Sequence, residues 1–259
     1  MARSGDGTVG KAMDILDSVA KVGRPIKFSE LLADSPHPKA TLYRFLQTLT
    51  NQGMLAFDDS NGTYSMGLRL VKLAHAAWKQ ATLATVARPF VYVLAAKTGE
   101  AVHLAQMESG QVLFVDKQKM SNSFETLAYT GMIAPAYCTG VGKVILAFMT
   151  PDRLERALNL QAFAQFTPAT HTNKDCLRAE LEQIRAEGIG FDREEHERDI
   201  ISIAAPIITN GGRVIGALSI ATSTAHHSLD SLMEYRSDLV ETTKRIGEEA
   251  TAWQFPTVN

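Results

Sequence analysis

Residues 38–49 read PKATLYRFLQTL and decide the fold of the first part of the chain. Their apolar members recur at spacings of three and four residues, which is the period of a helix with one buried face. These members are Leu42, Phe45, Leu46 and Leu49. Pro38 is typical of a first helical position, and Gly53 is typical of the position just past a helix end. We therefore predict a helix from Pro38 to about Gln52.

The segments on either side of this helix extend the pattern. Residues 8–22 show the same helical period, and a short second helix is predicted after them, with Ser29 as its N-cap. Downstream, residues 54–57 and 63–66 have the composition of strands, and the DDSNG sequence at 58–62 is typical of a hairpin turn. A helix, a helix-turn-helix and a hairpin in this order predict a winged helix-turn-helix.

The side of the 38–49 helix that faces away from its apolar stripe is polar and basic. Lys and Arg side chains there can neutralise phosphates or bind guanine edges, and hydroxyls can contact phosphates or thymine methyl groups. With the hairpin as a wing, this favours double-stranded DNA binding over the alternative, a solvated face of a small helical domain. The candidate DNA-binding residues are Lys39, Thr41, Tyr43, Arg44, Thr48, Asn61 and Thr63.

The rest of the chain alternates predicted helices and strands. Residues 68–80 carry a helical stripe, and residues 83–98 repeat that period, with a kink or break expected at Pro89. Strand-like runs cover 101–107, 111–117, 124–128, 200–208 and 213–221, and helical runs cover 140–148, 151–158, 174–187 and 228–250. Strands joined by hairpins, with helices around them, predict an α+β domain.

The composition excludes several classes of protein. The chain has 259 residues with 26 Lys and Arg against 28 Asp and Glu, so it is not broadly polybasic. Its apolar stretches are shorter than the ~18–20 residues of a membrane span, and the first residues do not form a secretion signal. We therefore expect no membrane partner. Two cysteines cannot form a disulfide framework, which favours a reducing cytoplasm.

Several segments within residues 8–250 resemble IclR-type transcriptional regulators. Besides the 38–49 helix, they read KAMDIL at 11–16, CTGVGK at 138–143, GFDREE at 190–195, IAAP at 203–206 and ALSI at 217–220. The resemblance implies a winged helix-turn-helix domain in residues 1–67, a linker helix in 68–80 and a GAF-like effector-binding, oligomerising domain in 81–259. It also implies a homodimer or homotetramer that binds palindromic promoter DNA, often as a repressor of catabolic genes, in response to a small organic effector.

The same resemblance implies, position by position, which residues line the effector pocket. They are Met132, Cys138, Thr139, Gly140, Val141, Asp192, Ser202 and Ser219. The hydroxyls and backbone N–H groups of this set suit a carboxylate or carbonyl ligand. Ser202 stands where relatives often have Cys, and Tyr43 stands where they often have His, so the resemblance does not name the effector or the operator.

These residues also have purely structural explanations. Cys138 fits equally as a small buried residue, Asp192 as a turn cap or the partner of an arginine, and residues 192–199 as a solvated charged loop. A hydrolase built on Cys138, His103 and Asp192 lacks a nucleophile elbow. The potential zinc ligands Cys138, Cys176, His103, His171 and His196 show no CxxC or HxxxH spacing. We expect no metal, no cofactor and no enzymatic activity, and a ligand-binding module without DNA binding is the other alternative.

Overall fold

A computed structural model describes residues 7–80, 82–120 and 126–252, without the side chains of residues 74, 75, 77–80, 82 and 252. The chain divides into two compact units, Met1–Gln80 and Ala81–Asn259. Within the described ranges, no helix combines the length and the apolar character that crossing a membrane requires. The first two residues of the strand predicted at 124–128 lie outside the described residues, and the remaining three are not a strand.

The first unit is a winged helix-turn-helix, as predicted. Its elements are α1 (Gly7–Val22), β1 (Ile26–Lys27), α2 (Phe28–Asp34), α3 (Lys39–Asn51), β2 (Leu55–Asp58), β3 (Thr63–Met66) and α4 (Leu68–Gln80). The three strands form an antiparallel sheet in the order β1-β3-β2. The predicted N-cap at Ser29 is wrong, because α2 already begins at Phe28 and Lys27 occupies the N-cap position.

The apolar stripe of α3 holds the first unit together. Leu42 and Leu46 are fully buried, and they pack with Ile15 and Leu16 of α1 and with Tyr64 of the hairpin. Gly53 follows α3 with φ +68°, a left-handed conformation that favours glycine, and it turns the chain into β2. Since one side of α3 is used for this core, its polar side is left facing outward.

The second unit is an α+β fold, which confirms the predicted fold class. Its elements are α5 (Thr82–Thr98), β4 (Ala101–Glu108), β5 (Gln111–Gln118), β6 (Ile133–Pro135), α6 (Gly140–Ala147), α7 (Pro151–Asn159), α8 (Lys174–Glu187), β7 (Gly190–Arg193), β8 (Ile200–Ile208), β9 (Val214–Ser223), α9 (Leu229–Leu232), a 3-10 turn (Met233–Tyr235) and α10 (Arg236–Ala252). The strands form one antiparallel sheet in the order β6-β5-β4-β9-β8-β7.

Two helical predictions for the second unit need correction. The break expected as one alternative at Pro89 is absent, because α5 continues through that residue, and the other alternative, a kink there, stays a prediction. The helix predicted over residues 228–250 is divided into α9, the 3-10 turn and α10. Ser228 does cap the first of these pieces, since its hydroxyl accepts a hydrogen bond from the Ser231 N–H at 3.2 Å.

The sheet of the second unit has an apolar layer on each face. Successive side chains of a strand point to opposite faces, so alternate residues belong to different layers. Leu104, Ile203 and Ile220 join one core cluster with α5 and α10. The residues next to Leu104 and Ile203, Ala105 and Ala204, join a second cluster with α6, α7 and α8. This second face also carries the polar side chains described below.

Candidate functional site

The polar face of α3 is directed away from the core of the first unit. Lys39, Tyr43, Arg44 and Thr48 are exposed, and Thr41 is half-buried. Tyr43 is fixed in part by the Gln47 amide, which donates to its hydroxyl at 3.0 Å. The Thr48 hydroxyl donates to the Arg44 carbonyl of the same helix at 2.9 Å, so this group already has an intrahelical partner. Lys39 and Arg44 therefore provide the cationic groups of this face.

Of the two predicted wing residues, Asn61 belongs to the turn between β2 and β3, and Thr63 is the first residue of β3. Asp58 organises this turn, because its carboxylate accepts from the Ser60 N–H at 2.9 Å and from the Asn61 amide at 2.6 Å. These hydrogen bonds lower the pKa of Asp58 below its ordinary value, with the Asn61 contact as the larger cause. Asn61 is exposed and Thr63 is half-buried at the start of β3. Asn61 thus has a structural role in the turn.

An aromatic groove, lined by Phe28, Lys39, Tyr43, Phe57 and Tyr64, lies between α3 and the wing. The rings of Phe28 and Tyr43 meet edge to face with their centroids 6.0 Å apart, and the ring centroids of Phe57 and Tyr64 are 4.7 Å apart. Phe57 and Phe28 were not among the predicted site residues. The strand period alone places Phe57 on one face of β2 and does not reveal that this face adjoins α3.

A polar cavity lies in the second unit between the sheet and α6. Seven of the eight residues predicted for the effector pocket line it: Met132, Thr139, Gly140, Val141, Asp192, Ser202 and Ser219. Its volume is about 40 Å³, well below the roughly 300–1,000 Å³ of known small-molecule pockets. The structure therefore brings these seven residues together from four separate parts of the chain.

Strand register explains why the polar side chains of the sheet meet in this cavity. Asp192 of β7 pairs with Ser202 of β8, and Ser202 pairs with Ala221 of β9. One step along the sheet, Ser219 of β9 pairs with His103 of β4. Because side chains alternate across a sheet, these residues lie on the same face. The cavity wall is thus built from four neighbouring strands.

The N-terminus of α6 forms the other wall. The first N–H groups of a helix have no partner within the helix, and they favour anions. The Thr139 hydroxyl does not cap them, since it donates to the Pro135 carbonyl at 3.0 Å. A side chain at Gly140 would lie 2.8 Å from the Ser202 hydroxyl and 3.2 Å from the Asp192 nitrogen. Glycine therefore permits this close approach of the helix to the sheet.

Burial shifts the proton affinity of the ionisable groups in the cavity. It raises the pKa of Asp192 to about 7, with a further contribution from the negative charge of Glu195. Burial also lowers the pKa of His103 to about 3, assisted by the positive charge of Lys117. The cavity consequently holds a neutral imidazole and a carboxyl group that changes its charge near neutral pH.

Cys138 is the predicted pocket residue that the structure places elsewhere. It is fully buried in the apolar cluster with α6–α8 and does not line the polar cavity. Burial raises the pKa of its thiol well above the ordinary value, and Asp192 contributes in the same direction. The thiol is therefore not a poised nucleophile, because thiolate is the reactive form. Cys138 thus lies in the core cluster and not in the cavity wall, and its predicted contact with the effector stays a prediction.

The charged run at residues 192–199 is only in part the solvated loop considered from the sequence, since Arg193, Arg198 and Asp199 are exposed. Asp192 and Glu195 are buried, and the Asp192 carboxylate accepts from the Glu195 N–H at 2.8 Å, which is the turn-capping role anticipated as an alternative. His196 and Glu197 line the cavity as well. The Glu197 carboxylate accepts from the Leu127 N–H at 3.2 Å and so holds the covering segment, residues 126–128, at the cavity that Thr126 and Ala128 line.

The cavity also contains residues that the sequence did not single out for it. They are His103, Phe114, Thr126, Ala128, His196, Glu197, Ile200 and Ala221. Ala221 lies two residues after the predicted Ser219 in β9, and His103 of β4 pairs with Ser219, so the strand period could have identified both once the sheet order was known. The Thr126 hydroxyl lies 3.2 Å from the His103 ring, a contact across 23 residues that local patterns do not contain.

Comparison with known proteins gives two family matches, which cover most of the chain. Residues 8–59 match the IclR helix-turn-helix domain, and residues 75–248 match the bacterial transcriptional regulator IclR C-terminal domain. The second match alone spans more than half of the 259 residues.

Individual relatives agree with these matches. The transcriptional regulator KdgR of Escherichia coli is 29% identical over 96% of this chain and 94% of its own length. The regulator XynR of the same organism is 28% identical over 90% of this chain and 92% of its own. The crystal structure of the Thermotoga maritima IclR superposes with a TM-score of 0.79 at 26% identity, covering 94% of this chain and 98% of that one. The relatives are transcriptional regulators rather than enzymes, and the chain belongs to the IclR family of bacterial transcriptional regulators.

Proposed function

We propose that this regulator represses catabolic genes and that a small organic effector with a carboxylate or carbonyl group controls its binding to operator DNA. Residues 1–67 bind double-stranded promoter DNA, residues 68–80 form the linker, and residues 81–259 bind the effector and assemble a homodimer or homotetramer in the cytoplasm. The observation that carries this proposal is the polar cavity, where buried hydroxyls face an uncapped helix N-terminus.

The DNA-binding part of the proposal rests on the polar face of α3 and on the wing. A recognition helix places its N-terminal residues in the major groove, which assigns base or phosphate contacts to Lys39, Thr41, Tyr43 and Arg44. Thr48, Asn61 and Thr63 are assigned to positions nearer the phosphates. The aromatic groove beside Lys39 supports apolar contact with sugar or thymine methyl groups.

The effector part of the proposal rests on the chemistry of the cavity walls. Backbone N–H groups at Gly140 and Val141 suit an anionic or carbonyl oxygen, while Ser202 and Ser219 supply hydroxyls. Known ligand pockets have about 300–1,000 Å³, so binding requires this small cavity to open. Opening releases the hydrogen bond between Leu127 and Glu197, which moves the covering segment in response to the ligand.

The DNA contact is tested with the promoter region next to the regulator's own gene. Fluorescence anisotropy at two salt concentrations should show tight, salt-sensitive binding. Arg44→Ala should weaken it by about 1–3 kcal/mol if Arg44 contacts a base in bidentate fashion, a loss of roughly 5- to 150-fold. Arg213→Ala is the matched control, because Arg213 is exposed on the hairpin of the second unit. Equal affinity of the Arg44 variant would favour a ligand-binding module that does not use this face.

The effector site is tested with a panel of short 2-oxo and 2-hydroxy acids in a thermal-shift assay. Acids that stabilise the native chain should lose their effect in Gly140→Ala, whose new methyl group meets the Ser202 hydroxyl at 2.8 Å. Gly211→Ala is the matched control, since its nearest neighbouring atom is 3.9 Å away. An acid that stabilises both variants equally binds somewhere other than the polar cavity.

The cysteine hydrolase alternative makes a different prediction. It requires Cys138→Ala to abolish turnover of an ester or amide substrate. The buried thiol with its raised pKa supports the core role instead. Cys138→Ala should therefore reduce stability through a small cavity in the core and leave DNA binding of the folded protein intact.

A further inference from the structure

A buried cluster of charged side chains lies behind the polar cavity, on the side of α6 and α8. Lys143 of α6 is fully buried, and its ammonium group contacts Glu180 Oε1 at 2.8 Å and also Glu195 Oε1. Arg193 contacts the same Oε1 atom of Glu180 at 2.7 Å. These cations offset the charges of both carboxylates, and they do so through the Oε1 atoms.

The remaining oxygens of the two carboxylates converge on a histidine. His171 Nε2 lies 2.5 Å from Glu180 Oε2 and 4.0 Å from Glu195 Oε2. Glu195 is 98% buried, and its Oε2 atom has no hydrogen-bond partner among the described residues. A buried carboxylate oxygen without a donor is costly, so this atom needs a proton donor or a cation.

We propose that His171 Nε2, Glu180 Oε2 and Glu195 Oε2 bind a divalent transition-metal ion such as Zn²⁺. The three atoms lie within 4.8 Å of one another, with Glu180 in α8, His171 in the segment before α8 and Glu195 in the segment after β7. Zinc takes imidazole nitrogen and carboxylate oxygen at about 2.0–2.2 Å, which places neighbouring ligand atoms of a tetrahedral site about 3.4 Å apart. The observed 2.5 and 4.0 Å separations bracket this distance, so small side-chain rotations bring the set to bonding geometry.

The surroundings determine how strongly such an ion is held. Because Lys143 and Arg193 already offset the carboxylate charges, the ion adds net positive charge to the cluster, and we expect weaker binding than at a zinc site without neighbouring cations. One quarter of the His171 side chain is exposed, which gives the ion an entry path and leaves room for water as a further ligand. The Arg193 side chain is half exposed and can turn outward.

The test uses full-length, tag-free, metal-stripped protein that carries Cys176→Ser, because the Cys176 thiol is exposed and would bind zinc by itself. Isothermal titration with ZnCl₂ and with MnCl₂ should show one ion per chain. His171→Gln keeps a hydrogen-bonding side chain beside Glu180 but is a poor metal ligand, and it should weaken zinc binding by about tenfold or more. Glu180→Gln should act in the same direction, and His226→Ala, which changes an exposed histidine elsewhere, should bind as the parent does.

Zinc X-ray absorption spectroscopy on the loaded parent protein provides an independent readout. The expected first shell contains only nitrogen and oxygen, with a single imidazole. Circular dichroism and thermal melting of each metal-free variant establish that it is folded before its titration is interpreted. Absence of binding at millimolar zinc, undiminished affinity in His171→Gln, or a sulfur atom in the first shell would each overturn the proposal.

Discussion

At the residue scale, Asp192 has two roles that both bury its carboxyl group, although burial disfavours the charged form of that group. It caps the turn that leads to Glu195 and also lines the polar cavity, and both roles need a buried carboxyl group. Burial favours the protonated form, which is why the pKa rises from the ordinary 3.8 to about 7. A buried ionisable residue whose pKa is strongly shifted, and which therefore lowers the stability of the fold, is typical of a binding site when it lines a cavity.

The first residue-scale prediction concerns the pH dependence of stability. The folded pKa of Asp192 lies above the unfolded one, so its contribution to stability is fully present below about pH 4 and is lost as the pH rises to about 7. The shift of about three pH units corresponds to roughly 4 kcal/mol at pH 8. Asp192→Asn should remove this slope between pH 5 and 8 and should stabilise the protein at pH 8 by up to that amount.

Urea unfolding at several pH values between 5 and 8 checks this prediction. Asp230→Asn serves as the control, because Asp230 is exposed and its substitution should leave the slope in place. A parallel slope in Asp192→Asn would show that another group is responsible for the pH dependence.

The second residue-scale prediction concerns Lys39. If its ammonium group neutralises one DNA phosphate, Lys39→Ala should weaken binding to all duplexes alike and reduce the slope of log K against log salt by about one. Anisotropy titrations from low to moderate salt measure this slope. Lys244→Ala, an exposed lysine of α10, should leave the slope unchanged, and an unchanged slope in Lys39→Ala as well would argue against a phosphate contact.

At the element scale, α7 and α8 differ in how they begin. Asn173 caps α8, and its side-chain oxygen accepts from the Cys176 N–H at 3.0 Å. Thr150 occupies the N-cap position of α7, yet its side chain makes no such hydrogen bond. Asn173→Ala should therefore cost about 1 kcal/mol, whereas Thr150→Ala should cost little. Denaturant midpoints of the two variants make the comparison, and equal losses would show that the cap hydrogen bond is not what stabilises α8.

Elements with several turns of clear periodicity were predictable from the sequence. The range predicted for α8 is correct, and α3 begins one residue after the predicted start at Pro38. Both helices were recognisable because an apolar residue recurs every three or four positions. The strands β1, β6 and β7 escaped prediction because two to four residues do not establish a period. Nothing in the sequence period at residues 228–250 marks the 3-10 turn, which interrupts the helix for only three residues.

The candidate site was predictable in position and less so in membership. Family resemblance located seven cavity residues. That Cys138 lies in the core cluster and not in the cavity wall depends on the direction of its side chain, which the sequence does not give. His103 and Thr126 were missed as cavity residues because they are 23 residues apart in the sequence and come together only in the folded domain. Local sequence carries no information about such a contact, since the sheet order decides it.

At the scale of the whole molecule, effector and DNA binding should be coupled with equal strength in both directions. If an effector changes the affinity for operator DNA by a given factor, the operator must change the affinity for the effector by the same factor. Factors of roughly 5–150 are typical of allosteric proteins. Calorimetric titration of the acid selected by thermal shift, with and without the operator duplex, measures one side, and anisotropy measures the other. A saturating acid that leaves DNA affinity unchanged is not an effector.

The alternation along β4, β8 and β9 separates two sets of residues that can diverge independently. His103, Ser202 and Ser219 face the polar cavity, whereas their neighbours in the strands face α5 and α10. If the polar cavity binds the proposed effector, substitutions at every second residue of these strands would change which small molecule it accepts, while the packing against α5 and α10 stays the same.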